Sequence, residues 1–373
     1  MTNGPLHGVR VVEVATFVTG PFAAMMLADL GADVVKVEPP AGEYFRKYGR
    51  RVNGLSVNFV NANRNKKGVV VDLQQESGVA ELTKLLDDAD VLVTNWRPGV
   101  AERLGFGVDD VRRRFPRLVW VRISGFGPDG PLASTPAFDG LIQARSGLTY
   151  AQGEEEPHAV WSWVVDKTTA AFAAQAALAG LIQRNATGEG VVVELPMLDS
   201  FAYFNFPDLM SERTILAEAD RPPVNAQLRA VRPIRTKDGW LMLNPARGVQ
   251  IKHTLEALGC AHRADEFKML EPAAATVRFF EIASEYSPAK TTAEWIAILE
   301  AVDAPAAPVL EYDGHLVDPQ VLHNQTYVEI EDPRFGPIRQ PRFPARFSTG
   351  DAGIEPAPEL DQHREDVFGD AHA

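Results

Sequence analysis

Short runs of consecutive apolar residues recur through the first two hundred positions, separated by segments of helix length. Val9–Val14, Asp33–Val37, Val69–Asp72, Val91–Thr94, Leu118–Ile123 and Val191–Leu195 are the runs. They do not alternate apolar with polar residues, so each predicts a strand covered on both faces, as parallel strands flanked by helices are. Between them, Gly20-Pro21 opens a helix over Phe22–Leu30, with proline at its first position and Gly31 as a left-handed stop. A second helix runs from about Glu76 to Asp87, and the longest from Asp166 to about residue 185. Strands alternating with helices predict an α/β fold built on a mostly parallel sheet.

The texture changes near residue 208. Val231–Arg235 and Trp240–Leu243 flank Thr236-Lys237-Asp238-Gly239, a hairpin signal. Thr291 with Glu294 three residues on forms a capping box at the head of a later helix. Asp303–Pro308 reads as an alanine–proline linker, and the proline-rich last fifty residues as a segment that returns to the first domain. The expected organisation is a large domain over 1–207, a smaller α+β domain over 208–310, and a C-terminal segment, 311–373, rejoining the large one.

Composition narrows the function. The 373 residues carry a net charge of −13, which argues against nonspecific nucleic-acid binding. One cysteine, Cys260, cannot form an internal disulfide, and eight scattered histidines offer no metal-ligand spacing. The greasiest stretch, Thr168–Ile182, is too short to span a bilayer, and the opening residues lack a signal-peptide pattern. A cytoplasmic protein is expected, without a membrane partner, a metal or a tightly bound cofactor.

Three features carry candidate chemistry. Between Phe45 and Val71 the chain holds Arg46, Lys47, Arg50, Arg51, Arg64, Lys66 and Lys67 and no acidic residue. That stretch reads either as an anion site or as a solvated loop. The first βα turn, Ala15-Thr16-Phe17-Val18-Thr19-Gly20-Pro21, sits where nucleotide folds carry Gly-x-Gly-x-x-Gly, but the glycines are missing. Asp166 stands just ahead of the longest helix. It reads most simply as an N-cap; the same position also suits a reactive carboxylate kept ionised by the helix dipole. No Gly-x-Ser-x-Gly elbow and no P-loop occurs.

Taken together, the segments resemble the class III coenzyme A transferases, a family that also includes the α-methylacyl-CoA racemases. The resemblance rests on Leu6-His7-Gly8-Val9-Arg10-Val11-Val12-Glu13, Leu27-Ala28-Asp29-Leu30-Gly31-Ala32-Asp33, Asn63-Arg64-Asn65-Lys66-Lys67 and Asn95-Trp96-Arg97-Pro98-Gly99 with Arg103-Leu104-Gly105. Ser124-Gly125-Phe126-Gly127-Pro128, Phe138-Asp139, Asp166 and Thr187-Gly188-Glu189-Gly190 continue it. It is dense over residues 6–200 and looser beyond.

The resemblance implies an interlocked homodimer whose subunits each pair a Rossmann-like large domain with a small one. CoA enters as substrate. Val18 and Thr19 border its thioester arm, Val71 and Leu73 flank the adenine, and Asn95, Trp96 and Arg103 hold ribose and phosphates, with Arg64 and Lys67 nearby. Phe138 and Asp139 belong to the same site, and Asp166 matches the nucleophile that carries CoA from an acyl-CoA to a carboxylic acid. Gly125–Gly130 and a small-domain loop are candidates for closure.

The racemase branch places a histidine base where this chain has Phe138, and an acid near Arg247, so racemisation is the disfavoured alternative. A CoA-binding protein without catalysis is the other. Two departures from formyl-CoA transferases, Val18 for a glutamine and a missing glycine-rich loop between Asp208 and Gly239, argue against formyl and oxalyl groups. Trp161, Trp163, Phe201, Tyr203, Phe204 and Phe206 read either as core or as walls for a bulkier acyl group.

Overall fold

A computed structural model describes residues 4–153, 156–210, 213–217, 230–245, 248–348, 350 and 352–369. These fall into two compact units, one running to Leu209 and resuming at Gln325, the other Met210–Asn324.

The first unit is built on strands β1 (Arg10–Val14), β2 (Asp33–Glu38), β5 (Lys66–Val70), β6 (Val91–Thr94), β7 (Val119–Ser124) and β8 (Val192–Pro196). They form one sheet in the order β5-β2-β1-β6-β7-β8, and every neighbouring pair is parallel. A two-residue ribbon, β3 (Arg51–Val52) with β4 (Leu55–Ser56), precedes β5. The helices are α1 (Thr19–Asp29), α2 (Val57–Asn63), α3 (Glu76–Asp87), α4 (Val100–Arg103), α5 (Val108–Arg114), α6 (Asp139–Arg145), α7 (Leu148–Gln152), α8 (Val164–Thr187) and α9 (Met197–Leu209). Alternate strand residues point to opposite faces. Val11, Val34, Val91 and Val119 pack with α1 and α8, while Val12, Val35, Leu92 and Trp120 pack with α3 and α5.

Three details differ from the sequence expectation. Pro21 is the third residue of α1, because the helix begins at Thr19. Strand β5 starts at Lys66 rather than Val69, since the ladder with β2 begins at Val34 opposite Lys66, and Lys66 finds a buried partner in Glu13 while Lys67 pairs with Asp33 nearer the surface. Residues 306–308 are not linker but strand β11, an antiparallel edge beside β10 (Trp240–Leu243), which pairs in turn with β9 (Ile234–Arg235). Proline is tolerated there because an edge strand need not donate on its outer side.

The second unit packs that three-stranded sheet against helices Gly248–Ala257, Pro272–Tyr286 and Thr292–Glu300 around Phe279, Phe280 and Trp295. Thr291 and Glu294 form the capping box that their spacing predicts.

Beside α1 the sheet encloses a set of ions. Glu13 of β1 lies opposite Lys36 of β2, both fully buried, with Nζ and Oε1 2.7 Å apart. Lys36 reaches Glu43 at 2.7 Å, and Lys66 reaches the other oxygen of Glu13 at 2.7 Å. These two contacts are close ion pairs whose angles lie off the hydrogen-bond direction. Arg46 grips Glu38 through two bonds of 2.7 Å and stacks on Phe59, 4.0 Å from its centroid. Three carboxylates thus face three cations. Burial works against the charge of Lys36, but Glu13, Glu43 and Glu38 outweigh it and hold the ammonium above its usual range.

The outer edge of β5 meets residues 358–364 instead of water. His363 accepts from Gly68 N at 3.1 Å, Asp361 accepts from Val70 N at 2.7 Å, and Arg364 donates to Val70 O at 2.8 Å. Side chains thereby satisfy an edge that would otherwise template aggregation. Within the first unit, residues Tyr327–Asp332 (β12) and Gly336–Pro341 (β13) form a hairpin.

Lys36→Met leaves Glu43 without its cation and Glu13 with one partner in place of two. A loss of about 3–5 kcal/mol is expected, read as a lower urea midpoint at unchanged slope.

Candidate active site

The sheet order reads 3-2-1-4-5-6 along the chain, so its switch point falls between β1 and β6, where the carboxyl ends of the strands leave a crevice. A cavity of about 600 Å³ occupies that place. Its walls come from the β1–α1 turn (Thr16–Thr19), the segment Tyr44–Tyr48, the residues after β6 (Asn95–Pro98), Phe138 and Asp139, and Trp163 with Asp166 at the head of α8.

The β1–α1 turn is clamped at three consecutive residues. Lys36 Nζ donates to Ala15 O at 3.2 Å. Asn95 brackets Thr16, accepting from its N–H at 3.1 Å and donating to its C=O at 2.8 Å. Phe17, at φ +64°, donates its N–H to Glu43 Oε2 at 2.7 Å. A left-handed phenylalanine costs on the order of 1 kcal/mol or more, so those contacts must hold it. The chain then enters α1 with Thr19 facing the cavity.

Asp166 is the third residue of α8, not its cap. The head of the helix is served instead by Asp139, whose Oδ2 accepts from Val165 N at 2.8 Å and Asp166 N at 3.1 Å. Gln143 fixes the other oxygen of Asp139 at 2.6 Å and ties it to Val160. Freed from capping, the Asp166 carboxylate projects into the cavity, where the Thr19 hydroxyl donates to Oδ1. Burial pushes its pKa up to about 6; the Thr19 bond opposes that rise and the neighbouring Asp139 charge adds to it. At neutral pH the group is therefore an ionised carboxylate, poorly solvated and close to its titration point. That combination suits a nucleophile.

Of the residues singled out in the sequence, Val18, Thr19, Asn95, Trp96, Phe138, Asp139 and Asp166 line the cavity. Arg64, Lys67, Val71, Leu73 and Arg103 do not. Arg64 is buried in a two-pronged pair with Asp29 at 2.7 and 3.0 Å, and Lys67 pairs with Asp33 at 2.8 Å. Val71 is core, Leu73 packs against that core, and Arg103 is exposed on α4. Four of the seven clustered cations, Arg46, Arg64, Lys66 and Lys67, thus answer carboxylates of their own fold. Arg97 is the cation in the cavity wall among the described residues.

Trp163 lines the cavity, whereas Trp161 is exposed, Phe201 is core, and Tyr203, Phe204 and Phe206 lie exposed on α9. Sequence reasoning missed Tyr44, Phe45 and Tyr48. With Phe17, Phe138 and Trp163 they form a ring system, Phe17 lying 5.5–6.1 Å from four of its members. Their clustering right after Glu38-Pro39-Pro40, at the carboxyl end of a predicted strand, was the available signal. Phe138 offers no proton acceptor. Arg247 and part of the segment expected to lack a glycine loop (211–212 and 218–229) lie outside the described residues.

The model of CoA-transferase family III matches residues 6–364. A succinyl-CoA:glutarate CoA-transferase of Mus musculus is 30% identical over 98% of this chain and 86% of its own length. A probable fatty acyl-CoA transferase of Mycobacterium tuberculosis is 30% identical over 96% of each chain. The crystal structure of the latter superposes with TM-score 0.84 and 28% identity, covering 97% of this chain and 98% of that one.

Asp166 is protonated more readily folded than unfolded, where a carboxylate titrates near 3.8. Relative to an uncharged amide it therefore loses stability as pH rises from about 4 through 6. Asp166→Asn should melt like the wild type near pH 4 and higher at pH 7.5, by up to about 3 kcal/mol. Thermal melts across that range check it; a variant equal or less stable at pH 7.5 would contradict it.

Proposed function

This chain belongs to CoA-transferase family III and is a CoA-transferase, and we propose that it moves CoA from an acyl-CoA to a carboxylic acid through Asp166. The observation that carries the reading is the Asp166 carboxylate, uncapped, partly desolvated and bonded to Thr19 inside the cavity.

In this mechanism Asp166 attacks the donor thioester carbonyl, forming a mixed anhydride and releasing CoA thiolate. The thiolate attacks the aspartyl carbonyl, giving an aspartyl-CoA thioester and freeing the donor acid. The acceptor carboxylate then attacks that thioester, again expelling thiolate. Attack of the thiolate on the acceptor acyl carbon produces the new acyl-CoA and restores Asp166. Each step exchanges one activated acyl bond for another, so no nucleotide is consumed. Water must be excluded, since it would hydrolyse the anhydride.

Val18 and Thr19 are the proposed border of the thioester arm, and Asn95 and Trp96 the proposed hold on the ribose and phosphates. Arg97 and Arg103 serve the phosphates, and the partly buried Leu73 the adenine, while the Val71 side chain is closed into the core. The proposal extends to an interlocked homodimer in the cytoplasm, with the unit that runs to Leu209 and resumes at Gln325, rather than at the expected residue 311, as the CoA-binding part of each subunit. Phe17, Tyr48, Phe138 and Trp163 supply apolar faces beside the nucleophile, which favours a bulky or aromatic acyl group over formyl or oxalyl.

Asp166→Asn should lower transfer by at least about 1,000-fold; transfer within tenfold of the wild type would overturn the reading. In the wild type, kcat/KM should rise with pH and level off above about 6, because the ionised form is the nucleophile. Across formyl-, oxalyl-, succinyl-, isobutyryl- and benzoyl-CoA with succinate or glutarate as acceptor, kcat/KM should be highest for the branched and aromatic donors.

A further inference from the structure

We propose that Glu43 is a positioning residue: its buried carboxylate holds Phe17 in the left-handed conformation that sets Val18 and Thr19 against Asp166. The proposal rests on the reading of Asp166 as nucleophile and adds a residue outside the reacting groups.

Phe17 has no local reason for its backbone. It is neither glycine nor asparagine, yet it sits at φ +64°. A phenylalanine there needs an outside contact, and the contact present is the 2.7 Å bond from its N–H to Glu43 Oε2. Glu43 is itself unable to swing. Its side chain is fully buried, Lys36 Nζ lies 2.7 Å from Oε1, and its own N–H is held by Glu38 Oε2 at 3.1 Å. Glu38 is fixed by Arg46. An exposed loop residue could make the same bond by chance. A carboxylate taken wholly out of water, with a buried cation on one oxygen and a strained active-site amide on the other, is a built contact.

The line of contacts runs from the sheet to the chemistry. Lys36 orients Glu43, Glu43 sets Phe17, and two residues on, Thr19 donates to Asp166. The charged groups around Glu43 are Lys36 and Glu38 from β2, Glu13 from β1 and Arg46 beyond it. Asp166 faces Asp139 from α6, with Arg97 elsewhere in the cavity wall. If the turn relaxes, the Thr19 bond that favours the ionised form of Asp166 weakens, and the nucleophile titrates at higher pH.

The test uses the full chain and the fastest donor of the panel above with succinate. Glu43→Gln should lower kcat by about 100-fold, the effect of a displacement near 1 Å at a reacting centre, with KM for the acyl-CoA changed less than about threefold. The pH midpoint of kcat/KM should move upward from about 6. A kcat within twofold of the wild type and an unmoved midpoint would overturn the proposal. Because the single change leaves a lysine underpaired, the pair Lys36→Met with Glu43→Gln, which removes one charge of each sign, is assayed beside it. In a pair that melts like the wild type, the same kcat loss and midpoint shift support the proposal and wild-type kinetics overturn it.

Glycine adopts positive φ freely, so in a Phe17→Gly background Glu43→Gln should cost less than about tenfold. A full hundredfold loss there would show that Glu43 acts by another route. Asp166→Asn in the same assay separates the two claims: retained transfer ends the nucleophile reading, which is a different result from Glu43→Gln behaving as wild type.

Discussion

The carboxylate of Asp139 carries two backbone amides at the head of α8, at 2.8 and 3.1 Å, and the chemistry of the cavity depends on that arrangement. A helix start needs an acceptor. Were Asp166 to supply it, its oxygens would be spent on the backbone and turned away from the cavity. With the need met from α6, Asp166 keeps the favourable field of the helix N-terminus while its carboxylate faces the crevice at the switch point. Burial then works against its charge and Thr19 works for it, leaving the group close to the pH at which it titrates. Asp139 contributes to both sides of this balance, since it frees the nucleophile and also repels it.

A second constraint lies below the cavity. The sheet buries three carboxylates and three cations, each with a named partner, at the end where β1 and β2 deliver the chain into the site. Ions so placed are seldom the cheapest way to stabilise a core. Their value here is geometric: Lys36 touches Ala15 O and Glu43, and Glu43 touches Phe17, so the register of the sheet is transmitted to the turn that bears Thr19. Residues 358–364 complete the same region from the far end of the chain by satisfying the edge of β5 and the guanidinium of Arg46.

The parallel sheet was legible because uninterrupted apolar runs such as Val91–Thr94 have one physical explanation, burial on both faces. Strand β5 was misplaced by three residues because Lys66 and Lys67 read as solvated, and their carboxylates, Glu13 and Asp33, stand far off in sequence. The same separation hid the fate of the cationic stretch, most of which neutralises its own fold. Asp166 could be singled out from the resemblance but not from its spacing, which also fits a cap; only the contact from Asp139, 27 residues earlier, removes that reading. The aromatic wall of Tyr44, Phe45 and Tyr48 escaped notice because its members meet Phe17 and Trp163 only in three dimensions.

The central claim is that the Asp166 side chain becomes acylated during turnover. Mass spectrometry of the protein incubated with an acyl-CoA and trapped with hydroxylamine or borohydride tests it most directly. The account predicts a modification at Asp166 that depends on the acyl-CoA and is absent from Asp166→Asn. An unmodified Asp166 in a protein that transfers CoA under the same conditions would contradict it.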